Sequence, residues 1–249
     1  MRKMLPLFCL FCLCLPGVCA GAGEELAVVY PERPPYHATE NGKAAGILVQ
    51  LTRRILEEAG LHPSFTEMPS RRILEEISRP DCTLCSFGWF KTPERESYAR
   101  FSLPFYRDPP LVAVLLAKNA GMAQGVTSLD QLAALRGCVL GLVAGWSYGA
   151  EADRILARRK PEVMEAPSSQ QQALMLAKER FTYTLIRQAE IGAFARSAGL
   201  EERDLYVVEL DDLREQSPRH IICGRGVPPA LMERIDAAII KLVPEAQAP

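Results

Sequence analysis

The stretch Gly88-Trp-Phe-Lys-Thr-Pro-Glu-Arg-Glu-Ser-Tyr-Ala-Arg-Phe-Ser-Leu-Pro-Phe-Tyr106 is the pivot of this chain. It closes a strand that reads from Asp81 to Trp89, and its Thr92-Pro93-Glu94-Arg95 group reads as a helix start. Moving towards the N-terminus, Leu26 to Tyr30 is a continuous apolar, β-branched run, the mark of a buried strand. Pro31 to Tyr36 then breaks the chain into a rigid loop. Ile47, Leu48, Leu51, Ile55 and Ala59 recur at helical spacing up to Gly60. Phe65 begins a second strand, and Ser70 is placed to cap a helix carrying Ile73, Leu74 and Ile77. Moving towards the C-terminus, strands are expected over Leu111–Ala117, Cys138–Val143, Phe181–Ile186, Leu205–Val208 and Ile221–Cys223. Helices are expected over Thr127–Leu135 (with Ser128 and Gln131 spaced as a capping box), from Ser147 to Arg158, from Ser168 or Ser169 to Lys178, over Gln188–Ala198, and after Pro228-Pro229. Strands alternating with helices give an α/β protein with mainly parallel sheets. One series lies before about residue 110 and one after it.

The chain has 249 residues, 48% hydrophobic and 24% charged, the balance of a globular protein. Arg2 and Lys3 precede an apolar run from Met4 to Leu15, followed by Pro16, Gly17 and small residues. That is an export signal over residues 1–22, with cleavage after Ala20 or Ala22. The run is too short for a comfortable membrane span. The expected product is soluble and periplasmic. Loss of Arg2 and Lys3 moves the formal net charge from −1 to −3, which gives no electrostatic reason to bind nucleic acid. Four of the eight cysteines leave with the signal, and Cys82, Cys85, Cys138 and Cys223 remain. Cys82-x-x-Cys85 sits in a strand reading, where residues three apart point to opposite faces. No second such pair and no nearby histidine complete a zinc site. Buried thiols, or a disulfide to a distant cysteine such as Cys223, are expected instead. No metal and no cofactor are implied. The three histidines, and the absence of Gly-x-Ser-x-Gly, HExxH and P-loop patterns, argue against an enzyme.

The 88–106 stretch resembles the extracellular solute-binding proteins of family 3, the type II periplasmic binding proteins that serve polar amino acid ABC transporters. Their pattern is a strand, then Thr-Pro-Glu-Arg, then Phe-Ser-x-Pro-Tyr/Phe-Tyr. Pro34-Pro35-Tyr36, Asn41-Gly42-Lys43, Gly46-Ile47, Ser128 to Gly137 and Val143-Ala-Gly-Trp-Ser147 agree with it, so the resemblance covers nearly all the chain after the signal. It implies two lobes around a ligand cleft, one from residues 23–109 and 221–249, the other from 110–220. It implies a small-molecule ligand that bears a carboxylate, an ABC permease as partner (or a membrane sensor, if the protein is a non-transport receptor), and a monomer.

Arg95 is the first candidate for the site, because a guanidinium fork matches a carboxylate bidentately, and the resemblance gives the arginine of Thr-Pro-Glu-Arg the ligand's α-carboxylate. Thr92 stands where the family often has a hydroxyl. Ser147 is expected at a helix N-terminus, where free N–H groups attract an anion, with Gly145 allowing close backbone approach. Trp146 and Tyr36 are candidate walls, and Arg72 is expected to face the cleft from the second helix. Trp89 is a further candidate wall. One departure stands out. Where the family usually places an aspartate for the ligand's ammonium, this chain has Arg187. Leu48 and Gln50 replace the usual first-helix carboxylates, and Arg33 replaces the usual first-loop aromatic. Convergence of Arg33, Arg72, Arg95 and Arg187 would favour an organic anion such as a dicarboxylate over an α-amino acid. The other reading pairs some of them with Glu40, Glu67 or Glu190.

Overall fold

The computed structural model describes residues 24–214 and 217–247. The expected signal peptide lies outside the described residues. The chain begins with β1 (Glu24–Tyr30), a short hairpin β2 (Ala38–Glu40) and β3 (Lys43–Ala45), helix α1 (Ile47–Glu58), β4 (Leu61–Glu67), α2 (Ser70–Ile77), β5 (Cys85–Phe90), a one-turn helix α3 (Pro93–Glu96), β6 (Ala99–Phe101) and β7 (Tyr106–Arg107). It then crosses to a second sheet made from β8 (Leu111–Leu116), β9 (Val139–Val143), β10 (Glu162–Ala166), β11 (Tyr183–Arg187) and β12 (Leu205–Glu209). Between these strands lie α4 (Leu129–Leu132), α5 (Ala150–Arg159), α6 (Ser169–Ala177) and α7 (Ile191–Ser197). The chain returns to the first sheet as β13 (Pro218–Gly224) and ends in α8 (Pro229–Leu242) and a 3-10 turn.

The first sheet runs β4-β1-β5-β13-β6, with β7 also on β13, and the second runs β10-β9-β11-β8-β12. Both are mixed rather than mainly parallel. β1 pairs in parallel with β4 and β5, but β13 is antiparallel to β5, β6 and β7. In the second sheet β9 is parallel to β10 and β11, while β8 is antiparallel to β11 and β12. The reason is the double crossing. β8 and β13 are the strands that enter a sheet from the other lobe, so they are not bound by the strand–helix–strand crossover that makes neighbours parallel.

Each sheet is covered on both faces. Val28, Tyr30, Leu48, Ile55, Ile235 and Ile239 fill one side of the first sheet, and Val29, Ile73, Ile77, Trp89 and Ile222 the other. In the second sheet the small Ala113 packs with Leu140, Tyr183 and Leu185 on one side, while Val112, Val114, Phe181 and Ile186 pack on the other. α1 is helical because Leu48, Val49, Thr52, Ile55 and Leu56 fall on one buried stripe. Its start is fixed by Gly46, whose φ is 111° and where a Cβ would lie 2.5 Å from the Tyr36 carbonyl oxygen.

Cys85 and Cys223 are register partners across β5 and β13 and form a disulfide with a sequence separation of 138. It ties the strand before the second lobe to the strand after it. Cross-linking so long a loop stabilises by about 5 kcal/mol in the chain-entropy account. Cys82 and Cys138 are free. The strand that was expected from Asp81 begins only at Cys85, so Cys82 stands in the preceding turn.

Candidate functional site

The two lobes meet over the carboxyl ends of β1 and β5 and the segments that follow β9 and β11. Several polar contacts cross between them. The Arg33 guanidinium donates to Glu190, Nε to Oε1 at 2.6 Å and Nη2 to Oε2 at 3.0 Å. Arg95 Nη2 donates to the Gly145 carbonyl at 3.0 Å. Trp146 Nε1 donates to Ser70 Oγ at 2.6 Å. Ser169 Oγ donates to the Glu32 carbonyl at 3.1 Å.

Arg95 is positioned by local chemistry. Thr92 caps α3, its Oγ1 accepting the Arg95 backbone N–H at 3.3 Å, and Pro93 opens the helix. The side chain is 6% exposed and lies over the Trp89 ring, 5.0 Å from its centroid. Nη1 donates to the Phe90 carbonyl at 2.9 Å. Its partners are therefore neutral: two backbone carbonyls, with the Tyr98 hydroxyl beside it. No carboxylate among the described residues forms an ion pair with it. Burial pulls its pKa below the usual arginine range, with Tyr98, Asp153 and Glu94 offsetting part of that. A buried guanidinium without a carboxylate is a cation in want of an anion.

Arg95, Trp146 and Ser147 line two spaces. The inner one also has Arg33, His37, Trp89 and Arg219 in its walls and a volume of about 30 Å³, room for about two water centres. The outer recess, of about 600 Å³, adds Thr92, Gly145, Asp153 and Arg154.

The other three buried arginines are paired with carboxylates. Arg187 is 1% exposed, and its Nε lies 3.1 Å from Asp108 Oδ2. Burial lowers its pKa to about 10 although Asp108 works the other way. Arg219 Nε donates to the same Asp108 oxygen at 2.6 Å, and both cations lie over the Phe90 ring, 4.3 Å (Arg219) and 5.7 Å (Arg187) from its centroid. Burial tends to lower Arg33, but Glu190 and Asp108 outweigh it and raise its pKa. Arg72 is exposed and lines neither space. Of the two readings of the four arginines, pairing describes Arg33, whose partner is Glu190; Arg187 pairs with Asp108, and Arg95 has no carboxylate partner among the described residues. Asp108 and Glu190, both buried at the crossing, hold Arg187, Arg219 and Arg33, while Arg72 lies at the surface.

Four other expectations change in detail. Ser147 does not start a helix: α5 begins at Ala150 with Gly149 as its cap, and the Ser147 hydroxyl donates to Asp153, which also accepts the Tyr148 N–H at 2.9 Å. The anion at that helix start is the chain's own Asp153. Gly145 is needed for its φ of 76° rather than for close approach, since its nearest Cβ neighbours would lie at 3.7 Å. Ser70 is the first residue of α2 and makes no cap bond; it holds Trp146. Tyr36 is 1% exposed and lines neither space, its ring lying beneath Arg33 at 5.1 Å. His37, Asp108 and Arg219 were not candidates. His37 is buried, its Nδ1 bonded to the Pro31 carbonyl, and burial with Arg33 lowers its pKa to about 3, so it is neutral. Among the described residues no cluster of histidine, cysteine and acids is arranged for a metal, and no helix is long and apolar enough to cross a membrane.

A model of the bacterial extracellular solute-binding proteins, family 3, matches residues 26–244. The chain belongs to that family. Family membership accounts for the two lobes, the double crossing and the cleft. Among curated proteins no sequence matches it. Solved structures share its fold. An ancestral arginine-binding protein bound to arginine superposes with a TM-score of 0.70 at 19% identity, over 90% of this chain and 94% of that one. A Salmonella typhimurium periplasmic binding protein described for high arginine specificity gives 0.67 at 19%, over 90% and 96%. A structure from work on glutathione import in Streptococcus mutans through GshT and a cystine ABC importer gives 0.69 at 12%, over 90% and 91%.

Proposed function

We propose that this family 3 solute-binding protein captures a small solute through one carboxylate, held by Arg95, and presents it to an ABC permease from the periplasm. Arg95 carries the reading, because it is the buried guanidinium of the cleft whose partners are neutral. A bidentate carboxylate would supply the missing anion. Trp89 lies beneath the guanidinium, Trp146 and Gly145 face it from the second lobe, and Thr92 and Ser147 edge the outer recess. One such cation among the described residues of the cleft favours one carboxylate per solute, an amino acid or a simple organic acid, over a dicarboxylate. That several solved neighbours carry arginine or glutamine supports the amino acid branch. The lobes divide near residues 109–110 and again ahead of β13, and opening about these two crossings would admit the solute. We take the protein to act as a monomer, with export directed by residues 1–22.

A thermal-shift panel of amino acids, monocarboxylates and dicarboxylates, each beside its neutral amide, tests this. A true ligand at 100 times its Kd adds about 2.7 kcal/mol to stability. Stabilisation by a carboxylate and not by its amide is the expected result. Equal shifts with acid and amide would remove Arg95 as the anchor.

A further inference from the structure

Arg33 belongs to a first-lobe loop that is folded back on itself. Its N–H donates to the His37 carbonyl at 2.7 Å, and its own carbonyl accepts from Tyr36 and His37 at 3.0 and 3.1 Å. The backbone is thus fixed in one lobe while the side chain ends in the other. There its guanidinium meets Glu190 edge-on through two parallel hydrogen bonds. The Trp146 ring stands 4.6 Å from Cζ and the Tyr36 ring 5.1 Å. A bidentate carboxylate in the plane with aromatic faces beside it is the full set of contacts that a free guanidinium seeks. Glu190 does not depend on Arg33 for its place, because the Arg187 backbone N–H donates to its Oε2 at 2.7 Å. Beyond the ion pair, Glu190 and Trp146 border a crevice of about 20 Å³, room for about one water, with Pro34, Gln172 and Phe194. The carboxylate is pre-set and walled by rings, and the Arg33 guanidinium takes both of its oxygens.

We infer that Arg33 is a specificity-determining residue: as a tethered ligand, its guanidinium fills a guanidinium-binding subsite made by Glu190, Trp146 and Tyr36, and so bars solutes with a cationic arm from the cleft. The inference rests on the reading of this cleft as the solute site, and it adds which solutes are refused. A plain interlobe ion pair makes no such demand, because the carboxylate it leaves when the arginine is removed takes a small ammonium as readily as a guanidinium.

The test is titration of methylguanidinium into wild type, Arg33→Ala and the double variant Arg33→Ala/Glu190→Gln. Methylguanidinium is expected to bind Arg33→Ala at least tenfold more tightly than it binds either of the others, and at least tenfold more tightly than methylammonium binds Arg33→Ala. Binding that is equal in all three, or absent from Arg33→Ala, overturns the inference. If Arg33→Ala does not fold unaided, the folded yield on refolding with and without millimolar methylguanidinium reads the same site. A yield raised by it supports the inference, and an unchanged yield overturns it. The carboxylate panel on wild type separates the two claims. A carboxylate-specific shift there, with no methylguanidinium binding to Arg33→Ala, sinks the tethered guanidinium and keeps the Arg95 anchor. Methylguanidinium binding to Arg33→Ala, with no carboxylate shift in wild type, does the reverse.

Discussion

Two groups of arginines sit within the same interlobe region and behave in opposite ways. Arg187, Arg219 and Arg33 are buried against Asp108 and Glu190, and form part of the frame that joins the lobes. Arg95 is nearly as buried, yet it bonds neutral groups alone. The first group has its anions built in. The second has none among the described residues. Burial of an arginine therefore says little about function until its carboxylate is found, and the missing carboxylate is the informative observation.

The comparison breaks most sharply at Asp108. Asp108→Asn leaves Arg187 and Arg219 buried without their acid, and unfolding by denaturant should show a loss of about 3–5 kcal/mol. By contrast Arg95→Ala should change stability by less than about 1 kcal/mol, since it removes a buried charge that no acid compensates. If the two variants lose similar stability, the division between frame and ligand anchor fails.

A pH series sharpens the same contrast through His37, which faces Arg33, Arg219 and Asp108. Burial first, and then Arg33, lower its pKa to about 3. Below its ordinary value of about 6.5 the unfolded chain takes up a proton that the folded chain refuses. Stability should fall as pH falls, by at most about 1.4 kcal/mol per unit, or about 2 kcal/mol between pH 6.5 and 5. Melting temperatures of wild type and His37→Gln across that range check it. A slope that His37→Gln leaves unchanged would assign the pH dependence elsewhere, with buried His220, also lowered by burial, as the next group.

The smallest effect is expected at Ser70. Ser70→Ala removes the partner of Trp146 Nε1 and should cost about 0.5–1.5 kcal/mol, read by denaturant titration. A larger loss would place that contact in the frame that joins the lobes.

The sequence made much of this legible. The Thr-Pro-Glu-Arg group marks a capped helix start, and Thr92 and Pro93 act as written. The long apolar runs at Leu26–Tyr30 and Leu111–Ala117 became the buried β1 and β8. Other elements carried no periodic signal. β10 reads Glu-Val-Met-Glu-Ala and is almost wholly exposed at a sheet edge, so no alternation betrays it. Strand direction is set by the crossings between lobes, which periodicity does not encode. In the site, Arg187 invited a reading as a charge-reversed selector because its pairing with Asp108 spans 79 positions of sequence. Asp108 itself had one sequence cue, an acid placed just before Pro109-Pro110 at the boundary between the two series of elements. Ser70 is spaced as a cap but its hydroxyl serves Trp146, a choice made by tertiary contact rather than by local spacing.

The central claim is that Arg95 is the anchor for a carboxylate. Calorimetric titration of the strongest hit from the carboxylate panel into wild type, Arg95→Ala and Arg95→Lys tests it most directly. Loss of a buried, hydrogen-bonded charge pair of this kind costs at least about 2 kcal/mol, so Arg95→Ala should bind at least about 30-fold more weakly. Arg95→Lys should fall between, because it keeps the charge and loses the fork. Binding by Arg95→Ala within about threefold of wild type, less than about 0.7 kcal/mol, would contradict the account.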